Sequence, residues 1–527
     1  MSGPMETHAE VAARDDAQLR SLGIKPELRR SLGFLSNFAV AFSYISVSTG
    51  TYTLIALGLG VGGPAFFWSW PIVILGQTFV ALNFAELASH FPVAGSIYQW
   101  SKRLSNKTLG WFTGWFYFWA GVITVTAVAG TVPLVMSSIF GFKLSDPSPI
   151  PALNNLIFWA LVTLVSTTAI NAFGVRLLSI INNIGVGAEI LGMLVFALIL
   201  LAVGRHQDLS VLTTTAGVEN TEGNGYLPVF AIAMFMSLFV VYGFDTAGTF
   251  GEETLDASRQ APRGILSAIW LSGAVGAVFL LAIILAIPNL QASFTDPAPI
   301  ATSIKAGLGD TMGTVYLYII LAAVYVCTLA IQGATTRLMF SMGRDRRMPL
   351  GSLWGHVNSM FRTPANAAVA VGVLAAIPFF ITDSPGLLAT GAPGLIYLSY
   401  LMCNLGVLVA RQRGWPHKGA WFNLGSWGTI INVLAIVYGG LMVINFGLWK
   451  NSLFGGFGTA LRNNTNPSLT IITSGGNTIS WLPDIPFFEA TILLILVAGG
   501  IYYLATGQGR KVDQVEADLA TGEAVIA

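Results

Sequence analysis

The stretch SYISVSTGTYT, residues 43–53, places serine, threonine and glycine in the middle of an apolar run long enough to span a bilayer. A second stretch, VVYGFDTAG at residues 240–248, interrupts a later run in the same way. A spanning segment is expected to be a continuous helix, because each backbone group left without a hydrogen bond in lipid costs several kcal/mol. The two stretches therefore predict helices that are broken at mid-membrane and face an internal chamber.

The composition is that of an integral membrane protein. The chain of 527 residues is 54% hydrophobic and only 10% charged, and its mean hydropathy is +0.69, whereas soluble domains carry about 25% charged residues. A net charge of +1 provides no basic surface for nucleic acid. The first 30 residues are polar and lack the apolar core of a cleaved signal peptide, so they are predicted to form a flexible cytosolic tail.

Twelve apolar runs of about 20 residues are predicted to span the bilayer. They lie at 34–57, 65–88, 111–139, 153–171, 178–203, 228–250, 265–287, 313–340, 366–382, 387–409, 424–447 and 488–506. With a cytosolic N-terminus, 21 of the 26 basic residues lie on the inner side, which agrees with the positive-inside rule. The sequence thus predicts an all-α, multi-pass protein of the cytoplasmic (plasma) membrane with both termini cytosolic.

The position of the two breaks predicts an internal repeat. They fall in the first and sixth spans, which fits a unit of five helices followed by an inverted copy. The predicted organisation is then an N-terminal tail (1–30), a ten-helix transport core (31–410), accessory helices 11 and 12 with a long outside loop (411–507) and a C-terminal tail (508–527).

Three acidic residues, Glu86, Glu189 and Asp245, lie within or at the end of apolar runs. A carboxylate at the centre of a spanning helix costs about 2.5–3.5 kcal/mol on insertion scales, so such groups usually pair, face the bundle interior, or bind protons or substrate. Glu189 has no basic residue in its run, IINNIGVGAEILGMLVFALIL, and is predicted to carry a coupling proton. A structural polar contact between helices is the alternative for each of the three.

The two breaks differ in the charge that they favour. Asp245 lies close to the backbone carbonyls freed by the second break, and this combination favours a cationic group. The first break begins a new helix segment with small residues, whose exposed N–H groups suit a carboxylate. These residues are Ser48, Thr49, Gly50 and Thr51. One site that offers both charges predicts a zwitterion such as an amino acid.

Three further stretches resemble the amino acid, polyamine and organocation permeases. They are FAELASHFPVAGSIYQWSKRL at 84–104, YGFDTAGTFGEETLDASRQAPRGI at 242–265 and TTRLMFSMGRDRRMP at 335–349. Together with GGPAFFWSW at 62–70, the first stretch is most similar to the amino acid and choline branch, which includes γ-aminobutyrate permeases. The resemblance implies a five-plus-five inverted-repeat fold, alternating access, and proton-coupled transport or exchange of amino acids or related small amines.

The resemblance also implies positions for the substrate site. Carried over residue by residue, these are Ser46, Ser48, Thr49 and Gly50 in the first helix, Phe239, Val241, Tyr242 and Gly243 in the sixth, and Thr328 in the eighth. Asp245 joins them as a predicted substrate-site residue because of its place at the second break, not because of the resemblance. Phe239 would be an aromatic lid. Many members carry lysine where this chain has Glu189, so sodium stays open beside the proton as the coupling ion.

Four charged residues are candidates for an inner gate. Either they form ion pairs of the gate or they are ordinary interfacial charges; the residues are Glu86, Glu252, Arg263 and Arg337.

No cofactor or metal site is predicted. A channel needs a polar path or a ring of charges, and an enzyme needs a nucleophile or metal constellation; the sequence has neither pattern. A carrier is predicted, with an amino acid/polyamine or choline exchanger as the alternative, and the sequence does not choose among α-amino acids, γ-aminobutyrate, choline and polyamines.

Overall fold

The computed structural model describes residues 7–217, 225–381, 385–416, 420–447 and 487–509. Over these ranges the regular secondary structure is helical, with two isolated β-bridges. The predicted outside loop after the eleventh span and almost all of the predicted C-terminal tail lie outside the described residues.

Nineteen α-helices are described. They are α1 (His8–Ser21), α2 (Phe34–Ile45), α3 (Val47–Gly62), α4 (Ser69–His90), α5 (Ser96–Leu104), α6 (Lys107–Phe140), α7 (Asn155–Phe173), α8 (Val175–Val203), α9 (Tyr226–Ala233), α10 (Phe235–Val240), α11 (Thr246–Thr249), α12 (Ala257–Leu285), α13 (Leu290–Ser293), α14 (Pro299–Arg344), α15 (Gly351–Trp354), α16 (Ala365–Ala376), α17 (Pro385–Gln412), α18 (Gly428–Gly447) and α19 (Phe487–Ala505). Short 3₁₀ turns lie at Pro64–Trp68, Leu209–Thr213, Gly251–Glu253, Ile377–Phe380 and Gly425–Trp427.

The spanning helices agree with the predicted runs. Within the described ranges, nine helical segments are long and apolar enough to cross a membrane. Three shorter apolar segments, Tyr226–Val240, Ala365–Phe380 and Thr491–Ala505, lie at the sixth, ninth and twelfth predicted runs. The all-α membrane fold expected from the sequence is confirmed.

The first spanning helix is interrupted at a single residue. Helix α2 ends at Ile45 and α3 begins at Val47, and between them Ser46 has φ 28° and ψ 87°. This backbone conformation is outside the helical region and is uncommon for a residue with a side chain. The break therefore lies inside the stretch that was predicted to be broken.

The sixth spanning helix is interrupted over a longer segment. Helix α10 ends at Val240 and α11 begins at Thr246, and Gly243 between them has φ 87°. A Cβ atom at Gly243 would lie 1.9 Å from Cδ1 of Tyr44, so only glycine fits this turn. The second break is therefore also where it was predicted, and its chain passes directly against the residue two positions before the first break.

The two broken helices are neighbours. The rings of Tyr44 and Tyr242 meet edge to face with centroids 6.0 Å apart. A Cβ atom at Gly50 in α3 would lie 2.6 Å from a methyl carbon of Val240, so the backbones of α3 and α10 approach closely at this glycine. Helix α6 packs beside them, against both α14 and α17. The breaks consequently lie at the centre of the bundle.

Backbone hydrogen bonds join the first and sixth spans at the end of the molecule that carries Leu32, Thr254 and Arg337, called here the inner end. Leu32 and Thr254 form a parallel β-bridge. The N–H groups of Ser31 and Leu32 both donate to the Glu253 carbonyl, and Leu255 N–H donates to the Leu32 carbonyl. The segment before α2 is thus fixed to the segment after α11.

The N-terminal region contains a docked helix. Helix α1 begins with a capping box, in which Thr7 and Glu10 satisfy each other's backbone N–H groups. Leu19 and Ile24 are buried against Val93, and Asp15 accepts a hydrogen bond from the Asp256 backbone N–H at 2.8 Å. The sequence predicted a flexible tail here; the structure instead places an ordered helix across the inner end.

Candidate functional site

The Glu189 carboxyl group lies at the first break. Its Oε1 atom accepts hydrogen bonds from Ser46 Oγ at 2.8 Å and from Ser48 Oγ at 2.7 Å. Glu189 belongs to α8 and is only 2% exposed. Because Ser46 and Ser48 open helix α3, the carboxyl group lies at a helix N-terminus, where the helix dipole stabilises negative charge.

This position changes the expected charge of the first break. The small residues at the start of α3 predicted a site for a carboxylate of the substrate. In the structure the protein's own Glu189 takes hydrogen bonds from two of the residues expected to bind that carboxylate. The first break is therefore supplied with a carboxyl group from within the chain, and its local electrostatics favour a cation or a proton.

The Asp245 carboxyl group lies at the second break and is surrounded by hydroxyl groups. Tyr117 of α6 donates to Oδ2 at 2.7 Å, Ser96 of α5 donates to Oδ2 at 3.0 Å, and Tyr400 of α17 donates to Oδ1. The Tyr400 hydroxyl also accepts a hydrogen bond from the Gly243 backbone N–H at 2.9 Å. Asp245 thus joins the broken turn to three other helices.

The carboxyl groups of Glu189 and Asp245 differ from those of the other buried glutamates in the partners that they have. Each of three further buried glutamates has an arginine partner: Glu86 with Arg411, Glu252 with Arg344 and Glu253 with Arg337. Over the residues described here, Glu189 and Asp245 have hydroxyl partners and no basic partner. One such carboxyl group therefore lies at each break.

The other expected substrate-site residues surround the same two breaks. All ten positions predicted for substrate binding are buried. Phe239 packs edge to face on Tyr242 at 6.0 Å, and the Tyr242 hydroxyl lies 3.3 Å from Thr124 Oγ1. Thr328 donates to the Val324 carbonyl of its own helix, which leaves only its lone pairs available to another group.

Several hydroxyl groups near the breaks have no hydrogen-bond partner among the residues whose positions the structure gives. Ser43 Oγ, Thr51 Oγ1 and Thr246 Oγ1 are buried, and none of the three is paired within the described part of the chain. A buried hydroxyl group without a partner costs about 1–3 kcal/mol. Each break therefore retains polar groups that can bond to a small polar molecule.

Two of the four predicted inner-gate residues, Glu252 and Arg337, form ion pairs at the inner end, with partners that the sequence did not identify. Arg337 Nε donates to Glu253 at 2.7 Å, and both side chains are fully buried. The neighbouring Glu252 binds Arg344 at 2.8 Å and accepts from the Ala94 backbone N–H.

The remaining two gate candidates are separated from these pairs. Glu86 binds Arg411 and accepts from the Leu424 backbone N–H, so it ties α4 to the segment before α18. Arg263 lies over the Trp421 ring at 5.0 Å and has no ion-pair partner over the ranges described, so the structure does not bring it to the predicted gate.

Sequence reasoning missed the tyrosines that contact Asp245. Tyr117 and Tyr400 occur in aromatic, apolar runs, and residues in such runs most often serve for packing and interfacial anchoring. A tyrosine buried in mid-span still needs a partner for its hydroxyl group, and that requirement was the available signal. Over the described ranges, no group of three or more His, Cys, Asp or Glu side chains is arranged to hold a metal ion.

Comparisons with known proteins agree with this architecture. A family model described as amino acid permease matches residues 32–475. An amino-acid permease BAT1 homolog from Oryza sativa subsp. japonica is 30% identical over 458 residues, 82% of this chain and 87% of that protein. Thiamine transporter thi9 from Schizosaccharomyces pombe is 26% identical over 473 residues, 80% of this chain and 78% of that protein. The crystal structure of MhsT in complex with L-phenylalanine matches with a TM-score of 0.56 at 16% identity, over 80% of this chain and 98% of that one, which is a likeness of fold.

Proposed function

The chain belongs to the amino acid permease family, and on this premise we propose that it is a secondary active transporter for small amines that carry a positively charged nitrogen. The cargo would bind between the two helix breaks, and the helices around it would open alternately to the two sides of the membrane. The relatives named above are an amino-acid permease and a thiamine transporter. Amino acids and thiamine differ in shape, but both carry a positively charged nitrogen.

The observation that carries this proposal is a pair of buried carboxyl groups that have no basic partner within the part of the chain that the structure describes. Glu189 and Asp245 are 2% and 0% exposed, and among the described residues both accept hydrogen bonds from hydroxyl groups and have no basic partner. An uncompensated carboxylate inside a membrane protein is unfavourable. A cationic cargo, a proton or both would neutralise the pair, and this requirement selects against anions.

Glu189 is the proposed proton carrier. Its partners, Ser46 and Ser48, are hydroxyl groups that can either donate or accept a hydrogen bond. The same two side chains can therefore hold the ionised carboxylate and the protonated acid without rearrangement of the backbone. Since Glu189 also lies at the first break, its protonation would change the charge of the cargo site directly.

The ion pairs at the inner end are the proposed inner gate. In this conformation Arg337–Glu253 and Arg344–Glu252 connect α14 to the turn after α11. We propose that the inner end faces the cytosol of the plasma membrane, in line with the distribution of basic residues, and that residues 31–410 form the transport core with 411–507 as accessory helices.

The experiment that tests the function is uptake by full-length protein in liposomes. Labelled γ-aminobutyrate, an α-amino acid, choline and a diamine would be compared, each with and without an imposed proton gradient. Amine cargo should enter with saturation, and unlabelled amines should compete. A carboxylic acid of equal size without nitrogen is the matched control.

The outcomes separate the alternatives. Accumulation that depends on the proton gradient supports symport, whereas uptake only in exchange for internal amine supports the antiporter. Uptake of the nitrogen-free acid at the rate of its amine analogue would contradict the proposal, as would unsaturable conductance.

A further inference from the structure

A cleft of about 400 Å³ lies at the inner end, apart from the two helix breaks. It is formed by the segment that follows α1, by α5, and by the end of α14 with the turn after it. Its size is within the range of small-molecule sites, about 300–1,000 Å³. Five of its lining residues are basic and two are acidic. The basic residues are Lys25, Lys102, Arg103, Arg344 and Arg346.

Two of the basic residues are already neutralised by largely buried carboxylates. Lys102 Nζ lies 2.6 Å from Asp345 Oδ2, and Arg344 binds Glu252 at 2.8 Å. Burial raises the pKa of the Asp345 carboxyl, whereas the positive charges of Lys102 and Arg344 lower it. The second effect is the larger, so the pKa lies below the usual range. Asp345 is therefore ionised and engaged with Lys102. The positive charge that is left in the cleft belongs to other side chains.

Arg103 is a cation without a carboxylate partner over the residues described here. Its Nη2 donates to the Leu22 carbonyl at 3.0 Å, and its guanidinium lies 6.0 Å from the centre of the Phe91 ring. Its Nε is buried and has no hydrogen-bond acceptor there. Burial lowers the pKa of this guanidinium, because a cation is costly away from water. An anion beside it would remove that cost.

Arg346 is a second cation without an ion pair over those ranges. It is exposed at the end of α14 and adopts φ 55°, a left-handed conformation that is uncommon for residues with a side chain. Lys25, on the segment after α1, lies 3.3 Å from Glu27 and is largely exposed. Arg103, Arg346 and Lys25 come from three different segments of the chain, and all three line this cleft.

We propose that this cleft binds a phosphate-bearing anion through Arg103 and Arg346, with Lys25 as a supporting charge. Guanidinium groups present parallel N–H donors that match the oxygens of a phosphate group. This geometry favours phosphate over an anion that offers only one acceptor atom. The excess of basic residues repels the cationic cargo proposed above, so the cleft is distinct from the cargo site. The phosphate could belong to a soluble compound or to a phospholipid headgroup.

Bound phosphate would hold three segments of the inner end together. Arg346 lies two residues after the end of α14, the helix that carries Arg337 and Arg344 of the ion pairs. Lys25 belongs to the N-terminal segment that crosses the same end. An anion shared between them stabilises the conformation in which the pairs are formed. The site is therefore regulatory: occupancy slows opening of the inner end.

The test measures binding, so its readout is independent of cargo identity. Full-length wild type, Arg346→Gln, Arg103→Gln and the control Arg413→Gln, which removes an exposed arginine elsewhere, would be titrated with inorganic phosphate in detergent by calorimetry. The same proteins would be unfolded thermally in phosphatidylcholine bilayers with and without phosphatidic acid. Loss of one charged hydrogen-bonding partner should weaken binding about tenfold or more.

Two outcomes support the proposal and identify the source of the phosphate. A Kd for inorganic phosphate that increases in Arg346→Gln and Arg103→Gln, but not in Arg413→Gln, indicates a soluble ligand. Stabilisation by phosphatidic acid alone, lost in the same two variants, indicates a headgroup. The proposal is overturned if neither anion binds, or if wild type and Arg346→Gln respond equally. Because Arg346 is exposed, its replacement should not prevent folding, so this variant tests the proposal even if Arg103→Gln does not fold.

Discussion

Replacement of Gly243 by alanine tests whether the turn between α10 and α11 is required for transport. Gly243 has φ 87°, and a left-handed conformation costs a residue with a Cβ atom about 1–2 kcal/mol. The new Cβ would also lie 1.9 Å from Cδ1 and 2.4 Å from Cε1 of Tyr44, and overpacking of this kind costs about 1–3 kcal/mol. The conformation described here should therefore be destabilised by roughly 2–5 kcal/mol.

A destabilisation at the lower end of that range would reduce the population of this conformation about thirtyfold. The assay is the initial rate of uptake per inserted protein in liposomes, together with the unfolding temperature. Gly440→Ala in α18 is the matched control, because a Cβ atom there meets no atom within 4 Å. A β-branched residue at position 243 should be more harmful than alanine, while insertion into the membrane is unchanged.

A double-mutant cycle with Tyr44→Ala, which removes Cγ together with the ring, separates the two contributions. Removal of the ring relieves the overlap but leaves the backbone strain, so Gly243→Ala should be less costly by about 1–3 kcal/mol in that background. Full transport by Gly243→Ala with wild-type stability would refute the reasoning. Equal costs in both backgrounds would show that Tyr44 is not the obstacle.

Three further substitutions address the carboxyl groups. Glu189→Gln should reduce proton-driven accumulation more than exchange, measured as uptake with and without a proton gradient; a pH dependence like that of wild type would count against Glu189 as the proton carrier. Asp245→Asn should weaken the affinity for cargo with a free ammonium about tenfold or more, and an unchanged rank order of cargo in competition assays would make Asp245 structural. Arg337→Met leaves Glu253 buried without its partner and should cost about 3–5 kcal/mol of stability, seen as a lower unfolding temperature. The double variant with Glu253→Gln should recover most of that loss, and failure to recover would mean that the pair is not coupled.

The spans and breaks were predictable because they depend on local composition. Lipid excludes polar backbone groups, so a spanning helix is visible as an apolar run, and an interruption such as Ser46 or Gly243 is visible as small residues within the run. The N-terminal helix was also encoded locally, by Thr7 and Glu10 at capping-box spacing. That signal was overlooked because the tail was judged by its polarity alone.

The partners of the site residues were not predictable from spacing. Tyr117 is 128 residues from Asp245, and Tyr400 is 155 residues from it. Which face of α6 or α17 meets Asp245 depends on how the whole bundle packs.

The ion-pair partners at the inner gate could not be predicted from sequence either, although two of the residues are neighbours in the chain. Glu252 and Glu253 are adjacent, and the 3₁₀ turn Gly251–Glu253 directs them to different arginines, Arg344 and Arg337. Sequence could identify the charges, but only the turn decides the pairing.

The β-bridge between Leu32 and Thr254 has a mechanical consequence. Three backbone hydrogen bonds around it, and the Asn37 side chain that donates to the Ala247 carbonyl at 2.8 Å, couple α2 to α11. Separate displacement of either half-helix would break these bonds, at about 0.5–1.5 kcal/mol each. The two half-helices should move as one rigid body. A cross-link that immobilises one of them should therefore immobilise the other.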